Sequence, residues 1–220
     1  MPTIALVFPG QGSQRVGMGR ALAEASPAAA AVFEEADRVL GQPLSRLAFD
    51  GPAEELDLTV NAQPALLATS VAMLRVLRER WAEAGTSHEP AFCAGHSMGQ
   101  YSALVAAGSL PLADGLRLVR ERGLRMQSSG HGNPGAMGAV IGLDDEQVAQ
   151  VVERARSIGL LGLANRNAPG QVVLSGERPA VEAALEFARE LRARKVVMLP
   201  VSVAAHSPLM ADAAAGMRQV

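Results

Sequence analysis

A single cysteine in 220 residues leaves no partner for an internal disulfide and no thiolate set for a zinc or iron–sulfur site. Cys93 falls in an apolar run and reads as a small core filler. Aromatic residues make up only 3%, too few for a base-stacking platform, and a formal charge of −2 offers no excess for nucleic acid or an anionic membrane. Residues 1–8 lack the basic leader and long apolar stretch of a signal peptide. No stretch reads as a membrane span free of charge or glycine, so the default expectation is a cytoplasmic protein. Neither a repeat nor a low-complexity tail is visible. What remains is ordinary globular material, 49% hydrophobic and 19% charged. It is enough for one large domain or for a domain with an inserted subdomain.

Within that ordinary composition one segment stands out. Gly95-His96-Ser97-Met98-Gly99 is a G-x-S-x-G pentapeptide with an apolar run, 90–94, before it and a helical run, 98–107, after it. In that context it reads as a nucleophile elbow. Such an elbow is a strand-to-helix turn that lifts the serine hydroxyl clear of the sheet and leaves backbone N–H groups for an oxyanion. The flanking glycines keep bulk away from a strained turn. Residues 90–94 are expected to form a short buried strand, and Gly108 to end the helix.

The rest of the chain supplies a frame for this turn. Residues 4–8 form a short strand that runs into the loop Pro9-Gly10-Gln11-Gly12-Ser13-Gln14. Ser26 and Pro27 read as N-cap and first residue of a helix closed by Gly41. A longer helix is expected after Gln63-Pro64, continuing through Trp81 to about Gly85. Another begins near 110–114 and carries Arg117, Arg120, Arg122 and Arg125. Residues 130–135 (Gly-His-Gly-Asn-Pro-Gly) are the strongest breaker cluster and a natural hinge. Beyond it, strands at 136–141, 160–165, 171–175 and 195–200 alternate with helices at 144–157 and 178–191. That order, β-α-β-β-α-β, is the ferredoxin-like unit. The expected fold class is α/β. It pairs a hydrolase-like core on a parallel sheet, residues 1–131 and 199–220, with an inserted ferredoxin-like α+β subdomain, residues 132–198.

A serine hydroxyl needs an adjacent base. Of four histidines, His88 lies in a polar loop and His131 in the glycine-rich stretch. His96 neighbours the serine but points elsewhere on the elbow. His206 sits where a strand end meets a Ser-Pro helix start and is the candidate base; its alternative role is to cap that helix. Asp114, Asp144, Asp145 and Glu177 fall between serine and histidine, none at an obvious strand end, so no third member of a triad is assigned.

Four collinear blocks carry a resemblance. They are Phe8-Pro9-Gly10-Gln11-Gly12-Ser13-Gln14; 95–103 around Ser97; Arg122-Gly123 with Met126-Gln127; and His206-Ser207-Pro208-Leu209-Met210. Residues 51–56 and 165–173 fit as well. Together they make the chain resemble the malonyl-CoA:acyl-carrier-protein transacylases, the acyltransferases of fatty acid synthesis and its polyketide relatives. The resemblance implies that Ser97 attacks the thioester and His206 takes its proton. The backbone N–H groups of Gln11 and Met98 would hold the oxyanion, and Arg122 would grip the malonyl carboxylate with two parallel hydrogen bonds. Met126 would line the acyl pocket, with Gln63 and Asn165 bordering the site. It implies no metal and no cofactor, the CoA thioester being a substrate, and an acyl carrier protein as partner. The basic stretch 189–195 could steer that acidic partner or merely compensate a helix end.

Three departures bear on these expectations. Gln100 stands where the family usually has Glu. Ala204-Ala205 precede the histidine where relatives often carry a larger residue, which leaves methylmalonyl or other extender units open. Relatives continue past the position of Val220, so reduced activity is expected of these 220 residues alone. The alternatives are a serine acyl hydrolase or thioesterase on the same fold, an acyltransferase for another extender unit in polyketide synthesis, and a non-catalytic module that binds carrier protein.

Overall fold

The computed structural model describes residues 3–132, 134–199, 201 and 203–220, and its contacts group the chain into two compact units, Met1–Leu124 and Arg125–Val220. The first unit contains β1 (Ala5–Phe8), α1 (Arg20–Ala25), α2 (Pro27–Leu40), α3 (Leu44–Asp50), α4 (Ala53–Leu56), α5 (Thr59–Glu83), β2 (Phe92–Gly95) and α6 (Gly99–Ala106). It also holds the first half of α7 (Leu112–Gly132). As expected, Ser26 caps α2, its side chain accepting from the Ala29 N–H, with Pro27 in the first turn and Gly41 at φ 62° closing the helix. Ala29, Val32, Phe33 and Ala36 form the helix's apolar face, in one cluster with Leu66, Leu67 and Val71 of α5.

Helix α5 begins four residues before the expected Gln63-Pro64 start and runs through Pro64. Proline has no N–H to give the carbonyl one turn back, that of Val60. The structure supplies a substitute donor: Arg120 Nη1 on α7 donates to Val60 O at 3.0 Å and to Asn61 Oδ1 at 2.6 Å. Among the described residues, α5 is one helix long and apolar enough to cross a membrane by length and composition, although Arg75 falls in every 18-residue window of it. Its apolar window is 61% buried within the protein, the position of a core helix.

β1 and β2 pair in parallel, Ala5 opposite Phe92 through Phe8 opposite Gly95, as expected of the hydrolase-like core. Leu6, Phe8 and Cys93 turn toward Leu74, Ala103 and Ala106. The other face is open, with Val7 76% and Phe92 68% exposed. The buried strand expected at 90–94 is therefore corrected to one covered on a single face. A short apolar run cannot reveal which of its faces has a neighbour.

In the second unit, β3 (Gly135–Ile141), α8 (Asp145–Arg156), β4 (Leu161–Ala168), β5 (Gln171–Glu177), α9 (Arg178–Glu190) and β6 (Lys195–Met198) follow the expected β-α-β-β-α-β order. The sheet order β4-β5-β3-β6 and its antiparallel pairings are those of a ferredoxin-like fold. Asp144 closes a capping box with Gln147 at the start of α8. Ala136, Val140, Val151, Leu174, Val181 and Leu185 lie in the core between sheet and helices. The breaker cluster at 130–135 is not a loop throughout. α7 continues to Gly132 and β3 begins at Gly135, while Asn133 lies outside the described residues, as do Pro200 and Ser202. Residues 199–220, assigned above to the large subdomain, are grouped with the second unit. There Val203, Met210 and Ala213 pack with Met126. A short 3₁₀ turn, Pro208–Met210, leads into α10 (Ala211–Met217).

Candidate active site

Ser97 occupies the turn between β2 and α6 with φ at 52°, a left-handed conformation that an L-residue adopts only under constraint. The constraint is visible in the glycines on either side. A Cβ on Gly95 would lie 2.0 Å from Gly99 C and O, and one on Gly99 2.5 Å from Phe8 O and 2.6 Å from Pro9 O. The elbow closes on itself and on the end of β1 with no room for a side chain, so the expected strained turn is present. Met98 opens α6, which places its amide at the positive end of the helix.

Arg122 meets the serine. Its Nη2 donates to Ser97 Oγ at 3.1 Å and its Nη1 to Gln63 Oε1 at 2.6 Å. Gln63 is 0% exposed, so its oxygen fixes the guanidinium from beneath. Burial pushes the Arg122 pKa below the usual arginine range, with the charge of Tyr101 opposing that shift. Neighbouring Arg120 is instead committed to Val60 O, Asn61 Oδ1 and Gln42 Oε1. Composition does not distinguish the four arginines of this helix; the geometry places Arg122 against the nucleophile's hydroxyl.

The loop after β1 lies against the elbow. His96 N–H donates to Phe8 O at 3.0 Å, and a Cβ on Gly10 would come within 2.5 Å of His96 Nδ1. His96 thus packs over the loop, a supporting position. Gln11 follows directly, and its Nε2 donates to Thr59 Oγ1 at 3.0 Å. Ser97, Arg122, Gln63, Met98 and Gln11 all belong to the first unit, where the structure gathers Ser97, Arg122 and Gln63 through direct bonds.

The remaining candidates belong to the second unit. His206 is exposed in a turn at φ 61°, directly before Ser207, whose Oγ donates to Ala204 O at 2.7 Å and accepts from Leu209 N–H. Ser207, not His206, caps the following turn, which removes the alternative role considered for the histidine. Met126 is buried in the cluster that holds Val203 and Met210. Asn165 lies on β4 opposite Val173, beside a bulge between Leu163 and Asn165, where a strand redirects its side chains. His88 packs edge-on against Trp81 at 5.1 Å between centroids. Thr59 was missed. The available signal was its spacing to Gln63, four residues along one helix, which puts both on one face.

This geometry permits nucleophilic acyl chemistry beside a fixed cation. A family model for the acyl transferase domain matches residues 5–220. The malonyl CoA-acyl carrier protein transacylase of Bacillus subtilis is 49% identical over 221 residues, covering 100% of this chain and 68% of the relative. The crystal structure of an acyl carrier protein S-malonyltransferase from Vibrio cholerae matches with a TM-score of 0.91 at 44% identity, covering 99% of this chain and 70% of that one. A malonyl-transacylase in complex with its type II PKS acyl-carrier protein matches equally, with a TM-score of 0.91 at 44% identity over 98% of this chain and 68% of that one. The chain belongs to the acyl transferase domain family and, within it, to the malonyl CoA-acyl carrier protein transacylases.

Proposed function

We propose that this chain moves a malonyl group from malonyl-CoA to the phosphopantetheine thiol of an acyl carrier protein, in the cytoplasm, to feed fatty acid synthesis. The observation that carries the reading is the Arg122 guanidinium, held by Gln63 and in hydrogen-bond range of Ser97 Oγ. Malonyl is a short diacid. Only two carbon–carbon bonds of about 1.5 Å separate its thioester carbonyl carbon from its carboxylate carbon. A cation that reaches the nucleophile therefore also reaches the carboxylate of a malonyl group joined to it.

In the first half-reaction Ser97 Oγ bonds to the thioester carbonyl carbon while His206 accepts the hydroxyl proton. The carbonyl oxygen takes the negative charge, stabilised by the Gln11 and Met98 amides, donors typically worth about 3–4 kcal/mol each in such a transition state. Collapse breaks the carbon–sulfur bond, and CoA leaves as its thiol with the proton from His206. The carrier thiol then attacks the malonyl ester, giving its proton to His206, which returns it to Ser97. No resident cofactor takes part, because the thioester already supplies the activated acyl group. Kinetics should be ping-pong. Met126 we assign to the acyl pocket and Asn165 to the border of the site. Gln63 orients Arg122, since its buried oxygen is already given to the guanidinium.

A serine hydrolase on the same scaffold would need no guanidinium beside the nucleophile. The two readings separate on one experiment: load with malonyl-CoA, remove CoA, then add carrier protein. Transfer of label from Ser97 to the carrier thiol supports the transacylase; release of free malonate at the same rate with and without carrier protein refutes it.

A further inference from the structure

The loop that carries Gln11 is tied at several points. Ser13 Oγ donates to Gly10 O at 2.8 Å, and Gly12 N–H donates to Gln14 Oε1 at 2.7 Å. Gln14 Nε2 donates in turn to Asp57 Oδ1 at 2.8 Å. These bonds act on neighbours of Gln11. The bond from Gln11 Nε2 to Thr59 Oγ1, at 3.0 Å, acts on Gln11 itself. Thr59 is 4% exposed and is the first residue of α5, where its branched side chain has few rotamers open to it.

The turn that bears Thr59 is itself fixed. Arg120 bonds Val60 O and Asn61 Oδ1, and Gly123 lets α7 approach so closely that a Cβ there would stand 2.6 Å from Val60 Cα. One turn further along α5, Gln63 holds Arg122. The start of α5 thus touches both the loop beside the elbow and the arginine beside the serine.

We propose that Thr59 is a positioning residue for acyl transfer: its hydroxyl oxygen anchors the Gln11 side chain and so sets the direction of the Gln11 amide. This rests on the oxyanion role given to that amide above. Thr59 touches no reacting atom, and its effect appears in the rate of the chemical step. Losing an oxyanion donor outright costs about 10²–10³ in rate, and a donor merely left to wander forfeits part of that.

The test measures single-turnover formation of malonyl-Ser97 by quenched intact-mass analysis across a range of malonyl-CoA concentrations. Thr59→Val keeps the shape and removes the acceptor. It should lower the maximal loading rate about tenfold without moving the half-saturating concentration. Thr59→Ser should restore most of the rate, and Gln11→Ala should reproduce the loss. The double variant should be no slower than Gln11→Ala alone, because both changes break one bond. Thermal melting of each variant reports the fold, and should Thr59→Val fail to fold, Gln11→Ala carries the test from the other end of the same bond. A wild-type rate in either single variant, multiplying losses in the double variant, or a change confined to half-saturation would overturn the proposal. If the unsubstituted protein forms no adduct on Ser97, the oxyanion assignment itself falls, a result visible before any substitution is made.

Discussion

Replacing Arg122 with alanine should turn a malonyl-selective protein into one indifferent to the acyl carboxylate. The guanidinium is partly buried, fixed by Gln63 at 2.6 Å and 3.1 Å from Ser97 Oγ, so it meets the carboxylate with its orientation already set. Hydrogen bonds to charged groups contribute about 1.5–3 kcal/mol each, and removing one partner of a desolvated ion pair costs about 3–5 kcal/mol. At 1.4 kcal/mol per factor of ten, kcat/KM for malonyl-CoA should fall by about a hundredfold to a few thousandfold. Acetyl-CoA has no carboxylate to lose. Any loss that Arg122→Ala causes through its bond to Ser97 Oγ affects both thioesters and cancels in their ratio. The informative quantity is therefore the malonyl-to-acetyl ratio of kcat/KM, read from adduct formation on Ser97 with each thioester. Arg122→Lys, which keeps charge but not the planar fork, should fall between. A ratio unchanged by Arg122→Ala would refute the carboxylate-binding role.

Further outcomes follow from individual contacts. Burial depresses the pKa of Arg122, so folding disfavours its protonated form, a cost fully present below the folded-state value and lost as pH rises through the unfolded one. The pair Arg122→Met with Gln63→Leu should accordingly keep or raise the melting temperature while abolishing malonyl selectivity, and a fall of several degrees would contradict it. Gly123→Ala puts a Cβ 2.6 Å from Val60 Cα and 2.9 Å from Thr59 O, backbone atoms that cannot swing aside. It should cost about 1–3 kcal/mol in urea unfolding and slow malonyl loading; an unaltered midpoint would show that α7 shifts freely. Asp144→Ala removes the side chain that accepts from Gln147 N–H and should cost about 1 kcal/mol with loading unchanged, whereas no cost would mean the cap is idle. Val7→Thr with Phe92→Thr alters the open face of the β1–β2 pair and should leave unfolding within about 0.5 kcal/mol; a loss of 2 kcal/mol or more, on the order of a core substitution, would mean that face is covered in solution.

Local chemistry written in neighbouring residues was the most legible part of the chain. Glycines at 95 and 99 around a serine, an apolar run before and a helical run after, announce the elbow within a dozen residues, although the atoms that exclude a side chain at Gly99 belong to Phe8 and Pro9 at the end of β1. The ferredoxin-like unit was legible for the same reason, since Asp144 and the period of Val148, Val151, Val152 and Ala155 declare α8 locally, and Val172-Val173 and Val196-Val197 declare β5 and β6. What escaped depended on partners far along the chain. Pro64 looks like a helix start until Arg120, 56 residues later, supplies the donor that proline withholds from Val60. Residues 130–132 look like a break, yet α7 carries through them. Arg122 stood out from Arg120 and Arg125 only through a motif, and it is Gln63 and Ser97, both distant in sequence, that give it its place. Thr59 carries only a weak local mark, its four-residue spacing to Gln63, and its interest comes from a loop 48 residues earlier.

The most direct test of the central claim is peptide mapping of the purified protein after a brief exposure to malonyl-CoA. The account predicts one malonyl group on the peptide containing Ser97, absent in Ser97→Ala, slowed in His206→Ala, and discharged when a carrier-protein thiol is added. A modification elsewhere, or a malonyl-Ser97 that the carrier thiol does not discharge, would contradict it.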